Sequence, residues 1–201
     1  MRAGGDDRGE RGVIGVGGAT CIGLTREMLA TINGSTLVEA ACLYARAGWP
    51  IFPLHNPVNG GCSCRRSACR DRAKHPRTRH GFKDATTSEP QVASWWRRWP
   101  EANIGVVTGA ASGLLVVDLD PAKGGFASWT EACARSSSDE PITLRARTGS
   151  GGLHLYFRYP TGIAVRNKQG IWPGVDIRGE GGYVVASPSL HISGGQYPWM
   201  L

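Results

Sequence analysis

Between Leu114 and Asp120 the chain reads Leu-Leu-Val-Val-Asp-Leu-Asp, an apolar run that ends in two carboxylates two positions apart. In a strand, alternate side chains share a face, so Asp118 and Asp120 point the same way. Two like charges that close are costly unless a cation sits between them, and a divalent metal is the usual answer. A metal held there can organise a triphosphate. The competing reading is an acid pair that caps the turn or helix following the strand.

Three later segments bear on that choice, each where a strand end is expected. Thr148-Gly-Ser-Gly-Gly-Leu-His154-Leu-Tyr-Phe157 is a glycine-rich turn running into an alternating strand with a histidine near its start. Gly174-Val-Asp176-Ile-Arg178 supplies a third acid beside a fixed cation, and Gly181-Gly-Tyr-Val-Val-Ala-Ser-Pro188 reads as a buried strand stopped by proline. Bare glycine N–H groups approach a phosphate closely, so Ser150, Gly151, Gly152 and His154 are candidates for the incoming triphosphate. Arg178 either completes a phosphate clamp or forms a plain salt bridge with Asp176 or Glu180. Arg145 and Arg147, on one face of the preceding strand, are further candidates for the clamp.

The order of acid pair, glycine-turn histidine and third acid resembles the bifunctional primase/polymerase domain of the archaeo-eukaryotic primase superfamily. The resemblance covers residues 36 to 201. It includes Ala47-Gly-Trp-Pro-Ile-Phe-Pro-Leu54, Gly81-Phe-Lys-Asp-Ala-Thr-Thr87, the Trp95-Trp96 pair, Asn103-Ile-Gly-Val-Val-Thr-Gly109 and the closing Gln196-Tyr-Pro-Trp199. One departure stands out: the family has a small polar residue two before the histidine, where this chain has Gly152, and Ser150 is the nearest substitute hydroxyl. The resemblance implies catalytic magnesium or manganese held by Asp118, Asp120 and Asp176.

A cysteine-rich segment at 60–80 stands apart. Cys62, Cys64 and Cys69 lie within eight residues, and His75 follows six later. Three thiolates and an imidazole close a structural zinc site, and the segment has almost no apolar residues with which to order itself, so metal binding can supply that free energy. Family members often carry such an insert here. His80 is an alternative fourth ligand, and a disulfide with a spare thiol is the competing reading. Cys21, Cys42 and Cys133 are scattered and read as packing residues. Arg65, Arg66 and Arg70 belong to the densest positive region of the chain and suit phosphates read without regard to sequence.

Lys and Arg number 23 against 16 Asp and Glu, a net charge of +7 that favours a polyanionic partner. No apolar run reaches the roughly 18 residues of a membrane span, and the amino terminus lacks the order of a signal peptide. A cytoplasmic protein with reduced thiols is expected. Residues 1–30, rich in glycine and charge and including Gly15-Val-Gly-Gly18, read as a disordered or mis-assigned tail, with Met28 a candidate native start. Residues 31–201 read as one catalytic domain, either trimmed in its last strand or part of a larger primase-helicase.

Periodicity predicts helices at 36–47, 89–98 and 123–135, and strands at 49–54, 104–108, 113–119, 142–148, 153–159, 174–178 and 182–187. Helices and strands alternate early and strands dominate late. That pattern points to an α+β (mixed α/β) fold with two lobes, a central sheet and a cleft. Trp95 and Trp99, at helical spacing, are expected in the core, with base stacking the alternative. The expected activity is template-dependent nucleotidyl transfer that makes or extends primers on single-stranded DNA in a mobile element. The alternatives are a non-catalytic, zinc-stabilised nucleic-acid-binding module that recruits a helicase, and a metal-dependent nuclease, against which the histidine on its glycine turn argues.

Overall fold

The computed structural model describes residues 23–137 and 139–201. Four helices appear, α1 (Arg26–Gly34), α2 (Leu37–Arg46), α3 (Glu89–Arg98) and α4 (Gly125–Arg135). The strands are β1 (Ile51–Leu54), β2 (Pro57–Val58), β3 (Gly61–Cys62), β4 (Asn103–Val107), β5 (Leu114–Leu119), β6 (Leu144–Arg147), β7 (Leu153–Arg158), β8 (Lys168–Trp172), β9 (Val175–Arg178), β10 (Tyr183–Ala186) and β11 (Trp199–Met200). They form a three-stranded sheet ordered β1-β4-β10, a six-stranded sheet ordered β11-β6-β7-β5-β9-β8, and the small β2-β3 ribbon. The architecture is mixed α+β, as the sequence pattern predicts. Pairing within each sheet is antiparallel, so the early alternation of helix and strand builds no parallel crossover unit.

β5 lies in the middle of the large sheet and is covered on both faces. Val117 and Leu119 pack with Leu155 and Val175 beneath Trp129 of α4. Leu114 and Val116 point the other way, with Tyr156, Ala146 and Trp199, and meet Ile104, Val106, Val184 and Ala186 of the small sheet. Helices α1, α2 and α3 close that core with Leu29, Ile32, Ala41, Tyr44, Val92 and Trp96. An aromatic column ties the layers together: Tyr44 and Trp49 stack at 5.5 Å, Trp49 and Tyr156 at 6.0 Å, and Trp199 Nε1 donates to Tyr44 Oη at 2.8 Å.

Local chemistry explains the boundaries. A capping box starts α2, with Glu39 N–H donating to Thr36 Oγ1 and Thr36 N–H to the Glu39 carboxylate. Pro53 is tolerated in β1 because Ile51 and Pro53 turn their backbone groups away from β4, toward Thr86 and Arg77, so the missing N–H removes no bond to β4. Gly105 sits between Phe52 and Val185, and a Cβ there would lie 2.7 Å from the Phe52 ring. The glycine lets that ring lie across the strand.

Two expectations change. The expected tail does not extend to residue 30: Thr25 caps α1, whose Leu29 and Ile32 are buried, and Met28 lies in its first turn. Asn33 then holds α1 to β11 by donating to Trp199 O and accepting from Trp199 N–H. Strands β8 and β11 add edges that periodicity did not predict. Trp95 and Trp99 pack, partly buried, against the core as their spacing predicts, and Trp96 beside them is the fully buried tryptophan of α3, at 2% exposure, with its Nε1 donating to Ala102 O. Gly15-Val-Gly-Gly18 and Cys21 lie outside the described residues.

Candidate active site and metal-ligating insert

The register of the large sheet sets one row of side chains across its strands. Asp118 of β5 is the direct partner of His154 on β7 and of Asp176 on β9, and His154 in turn faces Ala146 of β6. Cross-strand partners share a face, so the two acids and the histidine stand side by side. The row lies where the apolar slab between the sheets ends, in a cleft of about 690 Å³ that also takes in Asp120, Ser150, Arg178, Tyr183 and Tyr197.

Two cations serve the three acids. Arg178 Nη2 lies 3.0 Å from Asp118 Oδ2 and 2.7 Å from Asp176 Oδ2, so one guanidinium spans two facing carboxylates. Asp176 also accepts from Gly170 N–H at 2.7 Å. Asp120, just past the end of β5, accepts from Ala122 N–H at 3.0 Å and pairs with Lys123 at 3.1 Å. It therefore caps the following turn while still lining the cleft. The donors are hard carboxylate oxygens, which suit magnesium or manganese in kind, and Arg178 occupies the place of a cation between two of them.

Burial works to raise the Asp118 carboxyl, but its charged neighbours prevail and hold it below the ordinary carboxylate value. Burial also pushes the His154 imidazole down, so at neutral pH that ring is uncharged and Arg178 and Lys74 do the holding. His154 Nε2 stands 3.6 Å from Asp118 Oδ1, beyond hydrogen-bond reach, and its buried Nδ1 has no hydrogen-bond partner.

The glycine turn is built for close approach. A Cβ at Gly152 would lie 2.2 Å from the carbonyl oxygen of Leu119, so no side chain fits where the family has a small polar one. Thr148 Oγ1 accepts from Gly152 N–H at 2.9 Å and lies 3.2 Å from Ser150 Oγ, while Gly151 N–H donates to Thr148 O. These two glycine N–H groups are satisfied inside the turn, which leaves the Ser150 side chain to face the cleft. A second set of glycines fixes Asp120. Its N–H donates to Gly174 O and its carbonyl accepts from Gly125 N–H, and a Cβ on Gly174 would lie 2.5 Å from Gly125 N.

In the insert, Cys62, Cys64, Cys69 and His75 bring their ligand atoms within 4.8 Å of one another. Cys62 Sγ lies 3.5 Å from His75 Nε2; a tetrahedral zinc with Zn–S near 2.3 Å and Zn–N near 2.0–2.1 Å gives an S···N edge of about 3.5 Å. The cluster is compatible with structural zinc. The Arg66 N–H, first among several donors, draws the Cys64 thiol down to about 6, whereas burial leads in pushing Cys69 up to about 11. His80 is engaged elsewhere, its ring 2.9 Å from Asp84. The His55 ring lies tilted against that of His75 at 4.3 Å, and Arg77 donates to Leu54 O, Asn56 Oδ1 and Ser63 Oγ, anchoring the insert to β1.

Arg145 and Arg147 do not join the cleft lining. Alternation puts Ala146 in the row with His154 and sends both arginines to the other face, where Arg145 pairs with Glu140 at 3.3 Å. Sequence reasoning missed Lys74 and Asp71, which the insert brings into the cleft lining. Their spacing from the motifs held no signal for it. Trp95 and Trp99 are half-buried and line a separate groove of about 700 Å³ with Arg77, Arg79 and Arg98, whose guanidinium lies 4.9 Å from the Trp99 ring.

The Asp118–Arg178 pair makes stability depend on pH. Asp118 titrates below 3.8 in the fold, so the pair contributes fully above that value and its contribution is lost as pH falls through the lower folded one. Arg178→Met is expected to lose about 2 kcal/mol at neutral pH, between exposed and fully buried pairs. Urea unfolding should show that gap to wild type narrowing below about pH 4.

Comparison with known proteins gives one family match. No curated protein matches the chain. The family model of the bifunctional DNA primase/polymerase N-terminal domain matches residues 41–201, which span the three-stranded sheet, the insert and every residue of the acid and histidine row. The chain therefore belongs to the bifunctional DNA primase/polymerase family, a membership that points to nucleotidyl transfer of the primase/polymerase type.

Proposed function

We propose that this domain makes or extends primers on single-stranded DNA by template-dependent nucleotidyl transfer, in the replication of a mobile element. The observation that carries the reading is the register that stands Asp118 between His154 and Asp176 at the mouth of the cleft. Asp118, Asp120 and Asp176 are the proposed ligands of magnesium or manganese. When bound, such ions activate the attacking hydroxyl and steady the leaving phosphate oxygens. Arg178 then turns from the acids toward the triphosphate, and His154 and Ser150 contact it. Gly151 and Gly152 shape the turn that places them.

The non-catalytic module that recruits a helicase has one observation in its favour. The acids are already neutralised by Arg178 and Lys123, as in a site that no longer needs metal. Primer synthesis on single-stranded templates, run with ribonucleotides and deoxynucleotides in magnesium and in manganese, separates the two. Asp118→Asn and Asp120→Asn are each expected to lower turnover at least 100-fold while template affinity and unfolding midpoint change little. That is a loss of about 2.7 kcal/mol of transition-state stabilisation. Absence of synthesis by the wild type in every condition would favour the module, whereas turnover within threefold of wild type in both variants would remove the two aspartates from the metal-binding role, because asparagine caps a turn as well as aspartate.

Zinc is the proposed metal of the insert. Among the described residues no helix is long and apolar enough to cross a membrane, and a cytoplasmic, reducing setting keeps the thiols available. Freshly purified protein should carry close to one zinc by elemental analysis, and a Cys64→Ala, Cys69→Ala double variant should carry almost none.

Template binding is assigned to the basic belt of the insert, where Arg65, Arg66 and Arg70 are exposed, and to the tryptophan groove beside it. Alanine at all three arginines is expected to flatten the slope of log affinity against log salt by about two units, since each phosphate contact on a single strand contributes about 0.7. Filter binding over a salt series reads it.

A further inference from the structure

We propose that Lys74, carried into the cleft by the metal-ligating insert, binds the phosphates of the incoming nucleotide, so that zinc in the insert sets nucleotide affinity. The inference rests on the reading of the cleft as a nucleotidyl-transfer site and adds a residue and a coupling to it.

Lys74 lines the cleft with Asp118, Asp120, His154 and Arg178. The other cations there, Lys123 and Arg178, are paired with carboxylates at 2.7–3.1 Å. No salt bridge within 4.0 Å joins the Lys74 ammonium to a carboxylate among the described residues. This half-buried ammonium touches no carboxylate, and Asp118, Asp120 and Asp71 act on it only across the cleft, so it keeps its contact positions open to a ligand. Its complement is an anion, and a phosphate chain is one that fits a point charge on a flexible stem.

The backbone around Lys74 is pinned from both sides. Ala73, at 1% exposure, adopts φ +60°, a conformation L-residues rarely take unless the surroundings impose it. Its N–H donates to Cys62 Sγ at 3.3 Å, and its carbonyl accepts from Asn103 Nδ2 at 2.9 Å. The Lys74 carbonyl accepts from Tyr183 Oη at 3.1 Å, and His75 follows directly in the chain. Two of the four metal-ligating residues thus flank Lys74: Cys62 through the Ala73 N–H, His75 through the next peptide bond. A sulfur held by zinc keeps Ala73 in its left-handed conformation and aims Lys74 at the cleft. With no metal, Asn103, Tyr183 and the backbone bonds that tie His75 and Arg77 to β1 and its following turn still hold the segment, but the sulfur that fixes the Ala73 N–H is free to move.

Titration calorimetry with ATP and with dATP, each with magnesium, tests this on the intact chain. Four forms are compared: wild type and Lys74→Ala, each zinc-loaded or zinc-stripped, with the chelator removed before magnesium is added. Lys74→Ala is expected to weaken triphosphate binding about tenfold, as for the loss of one charge-assisted contact. Lys74→Arg should keep most of the affinity, and single-stranded DNA affinity should stay within twofold. Stripping zinc should cost wild type a similar factor and cost Lys74→Ala almost nothing more. Should stripping unfold the core by circular dichroism, Tyr183→Phe replaces it in the cycle; it should weaken binding several-fold in wild type and not in Lys74→Ala. Equal triphosphate affinity of wild type and Lys74→Ala overturns the contact. Equal losses in both backgrounds on stripping, or on Tyr183→Phe where stripping unfolds the core, overturn the coupling. A wild type that binds neither nucleotide and makes no primer overturns the cleft reading itself, and this inference with it.

Discussion

Strand β5 has no free face, and the site depends on that constraint. Val117 and Leu119 are buried under α4, and Leu114 and Val116 against the small sheet. A slip of one residue would turn Val117 and Leu119 into the cleft and Asp118 under the helix, burying a charge among leucines and valines, which several kcal/mol would oppose. The hydrophobic pattern therefore fixes the register, and the register fixes which polar residues become neighbours. Asp118, His154 and Asp176 stand together because the apolar residues two positions away have nowhere else to go.

The cost of that juxtaposition is charge repulsion, and the fold offsets it within the sheet. Arg178 stands two residues from Asp176 on the same face of β9 and diagonal to Asp118, so one guanidinium reaches both carboxylates. The site is thereby stable before any ligand arrives. A ligand that recruits Arg178 leaves the two acids to be neutralised by something else, and a divalent ion is suited to that. Metal and triphosphate would on this view enter as a linked pair, each relieving the charge the other exposes.

Glycine sets the distances. The carbonyl of Leu119 stands where a side chain at 152 would be, and Gly174 lies against Gly125 where neither can carry a Cβ. Those contacts bring the turn before β7, the turn before β9 and the first turn of α4 together around the end of β5. Asp120 is held by its backbone at that junction, leaving its carboxylate to the cleft. The departure from the family pattern at Gly152 follows from the same crowding.

The sequence by itself determined the strand that carries the acids, the glycine turn, the order of motifs and the four residues, three cysteines and a histidine, that cluster in the insert. Each depends on neighbours in the chain or on a spacing that a period of two or a metal geometry can read. It also placed α2 and α3 nearly to the residue, since a capping box and a proline in the first turn mark their starts. The tertiary structure decided the rest. That Arg178 spans two acids, that Arg145 and Arg147 point away, and that Trp96 is the buried tryptophan of α3 follow from which face of each element meets a partner. Thr25 caps α1 into the core because Leu29 and Ile32 find a surface to cover, although the segment before it is glycine and charge. Lys74 belongs to the insert in sequence and to the cleft in space. Contacts from Cys62, Asn103 and Tyr183 put it there, and these come from residues 12 to 109 positions away. Folding brings them together, and no local pattern records it.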